Sequence, residues 1–151
     1  MNKYLLLAFL LPAFVSSFSA QSPVTVKPPG PLSDRILTAS ELNGTYTYRR
    51  NTFKVLAIDH NKIKVQFHGE WMTRGGYPNT GDALGEAKFE GNVAVFIPKD
   101  TTDCKITMSF LTNRVEVQQE GEGDCGFGHN VVATGTYRRI KGGAPRFVPV
   151  R

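Results

Sequence analysis

The sequence predicts an all-β fold: about eight antiparallel strands in hairpin order, forming a small up-and-down, lipocalin-like barrel or a sandwich. Three observations predict it. Apolar and polar residues alternate along most of the chain, short polar or glycine-containing links separate the runs, and no stretch after residue 45 carries a helical stripe. "GTYTYRR" gives the first strand, 44–50, and 53–58 the second. In "KIKVQFHGEW", 62–71, Ile63, Val65, Phe67 and Trp71 fall on one face and Lys62, Lys64, Gln66, His68 and Glu70 on the other. That is the pattern of a strand with one buried face, and it makes Trp71 a core residue. Strands at 84–90 and 92–97 follow, the second with Val93, Val95 and Ile97 in phase before Pro98, which has no N–H for a ladder. "CKITMSF" repeats the pattern with Ile106, Met108 and Phe110 over 104–110, and Val115 and Val117 do so over 114–119. The eighth strand is 131–140, whose "GTYRRI" nearly copies the first and would meet it where a barrel closes. "DHNK", "EGN" and "LTNR" are links of hairpin length.

The chain has 151 residues, and the first twenty read as a signal peptide. Lys3 precedes an apolar run from Leu5 to Val15, and small residues reach Ala20, with cleavage there or after Ser19. The run is too short to span a membrane. A proline-rich leader, 21–35, a single β domain, 36–140, and a tail, 141–151, complete the expected organisation. The net charge of +5 falls to +4 once Lys3 leaves, which suits a periplasmic or secreted, soluble protein. There is no dense basic run, so nucleic acid is not expected as a partner, nor is a stable membrane anchor; a monomer is expected.

Two cysteines in a small exported chain imply a disulfide, Cys104–Cys125. If the hairpin folds about Thr112–Asn113, Cys104 lies opposite Gly121, and the glycines after it let the chain turn back to bring Cys125 to it. Gly121, Gly123 and Gly126 also spell G-x-G-x-x-G. A dinucleotide loop needs a helix after it and a carboxylate further on. "FGHNVVATGTYRR" reads as strand, and no acidic residue follows, so no cofactor is expected.

"CGFGHNV" followed by "GTYRR" resembles an ending of small exported bacterial proteins, some of which carry an LprI-type lysozyme-inhibitor module. The resemblance covers residues 104–139. It implies an envelope protein and hints at inhibition of lysozyme or another hydrolase, although the four-cysteine helical module is absent and no residue can be assigned to that activity.

Catalysis is not expected. His60, His68 and His129 are scattered, no G-x-S-x-G elbow occurs, both cysteines are committed to the bridge, and no spacing gathers metal ligands. Glu86 and Glu90 share a strand face but are commonplace there. The longest irregular stretch, 71–85, is the candidate binding loop, with Met72, Arg74, Tyr77, Asn79 and Asp82 as contact residues for a protein partner. The alternative is a carrier of a small apolar ligand, which needs interior space. Phe53, Phe67, Phe89, Phe96 and Phe110 are expected to fill that space. Arg138, Arg139, Lys141, Arg146 and Arg151 read as a solvated cationic tail.

Overall fold

The computed structural model describes residues 35–99, 101, 103–121 and 125–149. The expected signal peptide and nearly all of the leader lie outside them. After a single helical turn, α1 (Ala39–Leu42), come β1 (Gly44–Tyr48), β2 (Asn51–Asp59), β3 (Lys62–Met72), β4 (Pro78–Glu90), β5 (Val93–Phe96), β6 (Lys105–Leu111), β7 (Arg114–Glu120) and β8 (Gly135–Gly142). Each strand pairs antiparallel with the next, and β8 returns to β1, closing the barrel. Closure removes the two free edges that a sandwich would keep.

Alternation builds the core. Tyr46, Phe53, Phe67, Phe96, Phe110 and Tyr137 all point inward and are buried, with Ile63, Val65, Ile106, Met108 and Val115 between them. The rings touch in series: Tyr137 lies 4.9 Å from Phe53, Phe53 4.9 Å from Phe67, and Phe67 4.7 Å from Phe127. One strand departs from the expected phase. In β5, Ala94 and Phe96 face the core while Val95, and Ile97 just after the strand, are exposed. "VAVFI" is apolar on both faces, so alternation does not determine its phase; the pairing Phe89↔Ala94 does.

The two barrel ends are closed differently. One is covered by Leu37 and Leu42 from the segment around α1, where Thr38 and Glu41 form a capping box with Glu41 Oε2 accepting from the Thr38 N–H at 3.0 Å. Buried Asn92 anchors that segment, accepting from the Leu37 N–H at 2.8 Å and donating to the Arg35 carbonyl at 2.6 Å. The other end is covered by Phe127, Val131 and Ala133, ahead of β8. The repeated "GTY" marks the same device at both ends. The Tyr46 hydroxyl donates to the Leu42 carbonyl at 2.8 Å and the Tyr137 hydroxyl to the Ala133 carbonyl at 2.7 Å, each pinning the chain four residues upstream. Burial pushes the Tyr46 hydroxyl up to about 12 and raises Tyr137 as well, so both remain protonated donors at neutral pH.

The disulfide joins Cys104 to Cys125, with Cα atoms 5.1 Å apart. Lys105↔Glu120 is the last pair of the β6–β7 ladder, which sets Cys104 beside Gly121. Gly121 has φ +122°, and a side chain there would collide with the Asp103 carbonyl. Gly121 and Gly126 of the G-x-G-x-x-G string therefore shape the chain around the bridge.

Three expectations need correction. Residues 71–85 are mostly strand: β3 runs to Met72 and β4 starts at Pro78, leaving a five-residue connection closed by Thr73 N–H to Tyr77 carbonyl at 3.1 Å. The eighth strand begins at Gly135, because Ala133 N–H donates to Gln119 Oε1 and Gln119 N–H to Thr134 Oγ1, so side chains stand in for the ladder over 131–134. The presumed tail is also built in. β8 continues to Gly142, and the following segment lies across the outer face of β2 and β3. There Gln66 donates to the Val148 carbonyl at 2.6 Å and accepts from its N–H at 3.1 Å, while Lys54 donates to the Arg146 carbonyl at 2.9 Å. Arg139 is structural too, donating to the Glu41 carbonyl at 2.7 Å.

Candidate functional site

The β1–β2 connection consists of Arg49 and Arg50 alone. Two-residue hairpins favour glycine or asparagine because one or both positions need positive φ. Here Arg49 takes that role with φ +55°, and its guanidinium carbon lies 5.1 Å from the centre of the Tyr48 ring. A non-glycine residue in this region is strained, and such strain gathers at functional positions.

Asn51, the next residue, fixes the wall beside this turn. Its side-chain oxygen accepts from the Glu70 N–H at 3.3 Å, and its amide donates to the Val132 carbonyl at 2.8 Å. Between turn, β3 and the 130–134 segment opens a groove of ≈ 510 Å³, bounded by Tyr48, Arg49, Arg50, Trp71, Met72 and Val132 among others. Trp71 is 46% exposed, Met72 40% and Val132 49%, so the apolar part of the groove faces solvent. Arg50 and Glu70 stand 3.8 Å apart at its edge. This corrects the placement of Trp71: it keeps the inward phase of Ile63, Val65 and Phe67, but the barrel mouth has ended by that point.

The five expected contact residues divide among four places. Met72 lines the groove. Arg74 and Tyr77 sit on the short β3–β4 connection, where Tyr77 is 80% exposed. Asn79 donates to the His129 carbonyl at 2.8 Å and so ties β4 to the segment covering the mouth. Asp82 lies on the outer face of β4, 2.8 Å from His68. Arg49, Arg50 and Val132 were not expected; the one sequence signal was "YRRN", a turn without glycine.

His60, on an exposed turn, meets Asp59 at 2.6 Å, whereas His68, on a strand, meets two carboxylates. Its Nδ1 meets Asp82 at 2.8 Å and its Nε2 meets Glu70 at 3.5 Å. The hydrogen bond to Asp82 raises its pKa above the ordinary 6.5, against an opposing effect of burial. A histidine whose folded pKa is raised stabilises the fold while protonated. That contribution is complete below the ordinary 6.5 and is lost as pH rises through the higher folded value. Titration of the His68 ring by NMR should give a midpoint above 6.5 in the wild type and a lower one in Asp82→Asn; equal midpoints would refute the assignment.

The acids expected to be commonplace have lysine partners: Glu86 with Lys62 at 3.2 Å and Glu90 with Lys88 at 3.4 Å. Among the described residues, no three His, Cys, Asp or Glu side chains converge as metal ligands, and no helix is long and apolar enough to cross a membrane. No family model, curated protein or solved structure matches the chain.

Proposed function

We propose that this is an exported binding protein of the bacterial envelope that engages a protein partner through the groove bounded by Arg49, Arg50, Trp71, Met72 and Val132. The observation that carries the reading is the half-exposed Trp71 beside two arginines, one held in a strained turn. Trp and Arg are the side chains that dominate interface energetics, and aromatic anchors flanked by charge are how such patches gain specificity. The disulfide supports export, since such bonds persist in oxidising compartments. A hydrolase such as lysozyme is the partner suggested by the "CGFGHNV…GTYRR" resemblance. The carrier alternative is weakened by the ring-to-ring contacts that occupy the interior.

A photo-crosslinking residue at position 72, in cells, should yield a protein adduct that the same residue at position 88, on the outer face of β4, does not. An absent or identical adduct would sink the groove as an interface. For the hydrolase version, inhibition of several muramidases should weaken about thirtyfold in Trp71→Ala, the loss of one interface hot spot. Arg49→Gly is the companion variant: it relieves the positive-φ strain, so any binding loss occurs without a loss of stability. No inhibition by the wild type at high molar excess would remove these enzymes as partners.

A further inference from the structure

The outer face of β2 and β3 holds the chain's own 145–148 segment by contacts that scarcely depend on its sequence. Gln66 engages both backbone groups of Val148, as one residue of a neighbouring strand would. Lys54 takes the Arg146 carbonyl. A contact that does depend on a side chain is that of Lys64, whose ammonium lies 5.0 Å from the centre of the Phe147 ring. Gln66 is 3% exposed beneath this segment, although its position on β3 faces outward.

The seat is of mixed charge, but its acids are engaged elsewhere: Asp82, in the same pocket as Lys54 and Val148, meets His68 at 2.8 Å, and Glu86, opposite Lys64, meets Lys62 at 3.2 Å. Among the described residues, neither Lys54 nor Lys64 is within ion-pair distance of a carboxylate, while their neighbours Lys62 and Lys88 are. Residues 143–149 supply none, and they contribute Arg146, a like charge. Two successive glycines end β8 and begin the segment. Gly142 and Gly143 have no neighbour that a Cβ would meet, and Gly143 has φ +80°. The hydrogen bonds that hold the segment are made by Gln66 and Lys54 side chains, so its release would break no ladder bond of the barrel.

We propose that this face is a second binding site, separate from the Trp71 groove, for an extended acidic peptide of another protein. Such a peptide would carry an aromatic residue directly before the residue that Gln66 reads, and the 145–148 segment is its built-in, displaceable competitor. Lys54 already holds the carbonyl of residue 146, so an acidic side chain in the place of Arg146 brings a carboxylate to a lysine that has none.

The test uses the full chain and two synthetic peptides: residues 143–149 as they stand, and the same peptide with glutamate in place of Arg146. Fluorescence anisotropy should show the glutamate peptide binding on the order of fivefold tighter, with the advantage fading as salt rises. In the Val148→Pro background, where the resident segment is already weakened, Gln66→Ala should weaken it roughly tenfold, through two lost hydrogen bonds. Val148→Pro, which removes the N–H that Gln66 accepts, should tighten it by weakening the competitor. Hydrogen exchange at the wild-type Val148 amide should quicken on peptide addition. No binding to either the wild type or Val148→Pro at millimolar peptide would overturn the proposal, as would binding to Val148→Pro that is indifferent to adding Gln66→Ala. Sedimentation showing a dimer lost in Val148→Pro would make a second copy the occupant and overturn the external partner.

Discussion

Phe67→Ala is expected to lower the unfolding free energy by about 3–5 kcal/mol, the cost of truncating a fully buried phenylalanine. Phe67 is 0% exposed and sits between Phe53 and Phe127, with ring centres 4.9 and 4.7 Å away. The gap cannot easily collapse. Phe53 is held on its other side by Tyr137, and Phe127 lies just two residues past the bridged Cys125. The ring's position in turn requires glycine at 69, since a Cβ there would come within 2.6 Å of Phe67 Cζ and 2.8 Å of Val131. Urea unfolding with an unchanged slope measures the loss. A loss below about 1.5 kcal/mol, the usual ceiling for volume-conserving swaps, would mean that the neighbouring rings do refill the space.

Removing the disulfide, as Cys104→Ala with Cys125→Ala, should cost about 3 kcal/mol for a bridge closing some twenty residues. The separation is 21 residues. In a domain of this size, that loss corresponds to a fall in Tm on the order of 15 °C. The loss should be local at first. Hydrogen exchange should accelerate over 125–134, while the end around Leu37, Leu42 and Phe110 stays protected until global unfolding. Uniform acceleration would show instead that the bridge acts on the whole barrel. A fall of under 5 °C would show that Phe127 and the Asn79 hydrogen bond hold the segment by themselves.

Alternation made most of the strands legible, and the pairing distance from Thr112–Asn113 placed Cys104 beside Gly121. It failed where backbone needs outweigh side-chain phase. "PNTG" at the start of β4 reads as loop, yet Gly81 is needed in the strand because Phe127 packs directly over it, a Cβ there falling 2.6 Å from Phe127 Cβ. The 131–134 stretch has strand-like burial, Val131 and Ala133 in and Val132 and Thr134 out, but Gln119 and Thr134 side chains make its hydrogen bonds. Trp71 shows the limit of parity, which gives direction without showing where the barrel stops. The candidate groove was legible only through Trp71 and Met72. Its other walls come from a turn about twenty residues before Trp71 and from the 130–134 segment about sixty residues after it, and no local pattern joins them. The seat of the C-terminal segment was hidden for the same reason: Gln66 and Val148 are 82 residues apart.

Every pairing but one joins strands consecutive in sequence. The exception, β1 with β8, sets Thr47 opposite Arg138, a loop of roughly 90 residues, and closing it carries the largest entropy cost in the fold. Hairpins can zip early, but the cylinder closes only when the last strand is present, so contact order places that step late and makes it slow. Until then, the outer edges of β1 and β7 are open ladders on which another unfinished chain can pair. A chain ending before Gly135 would be a ribbon with two adhesive edges, and aggregation would take the place of folding as its fate.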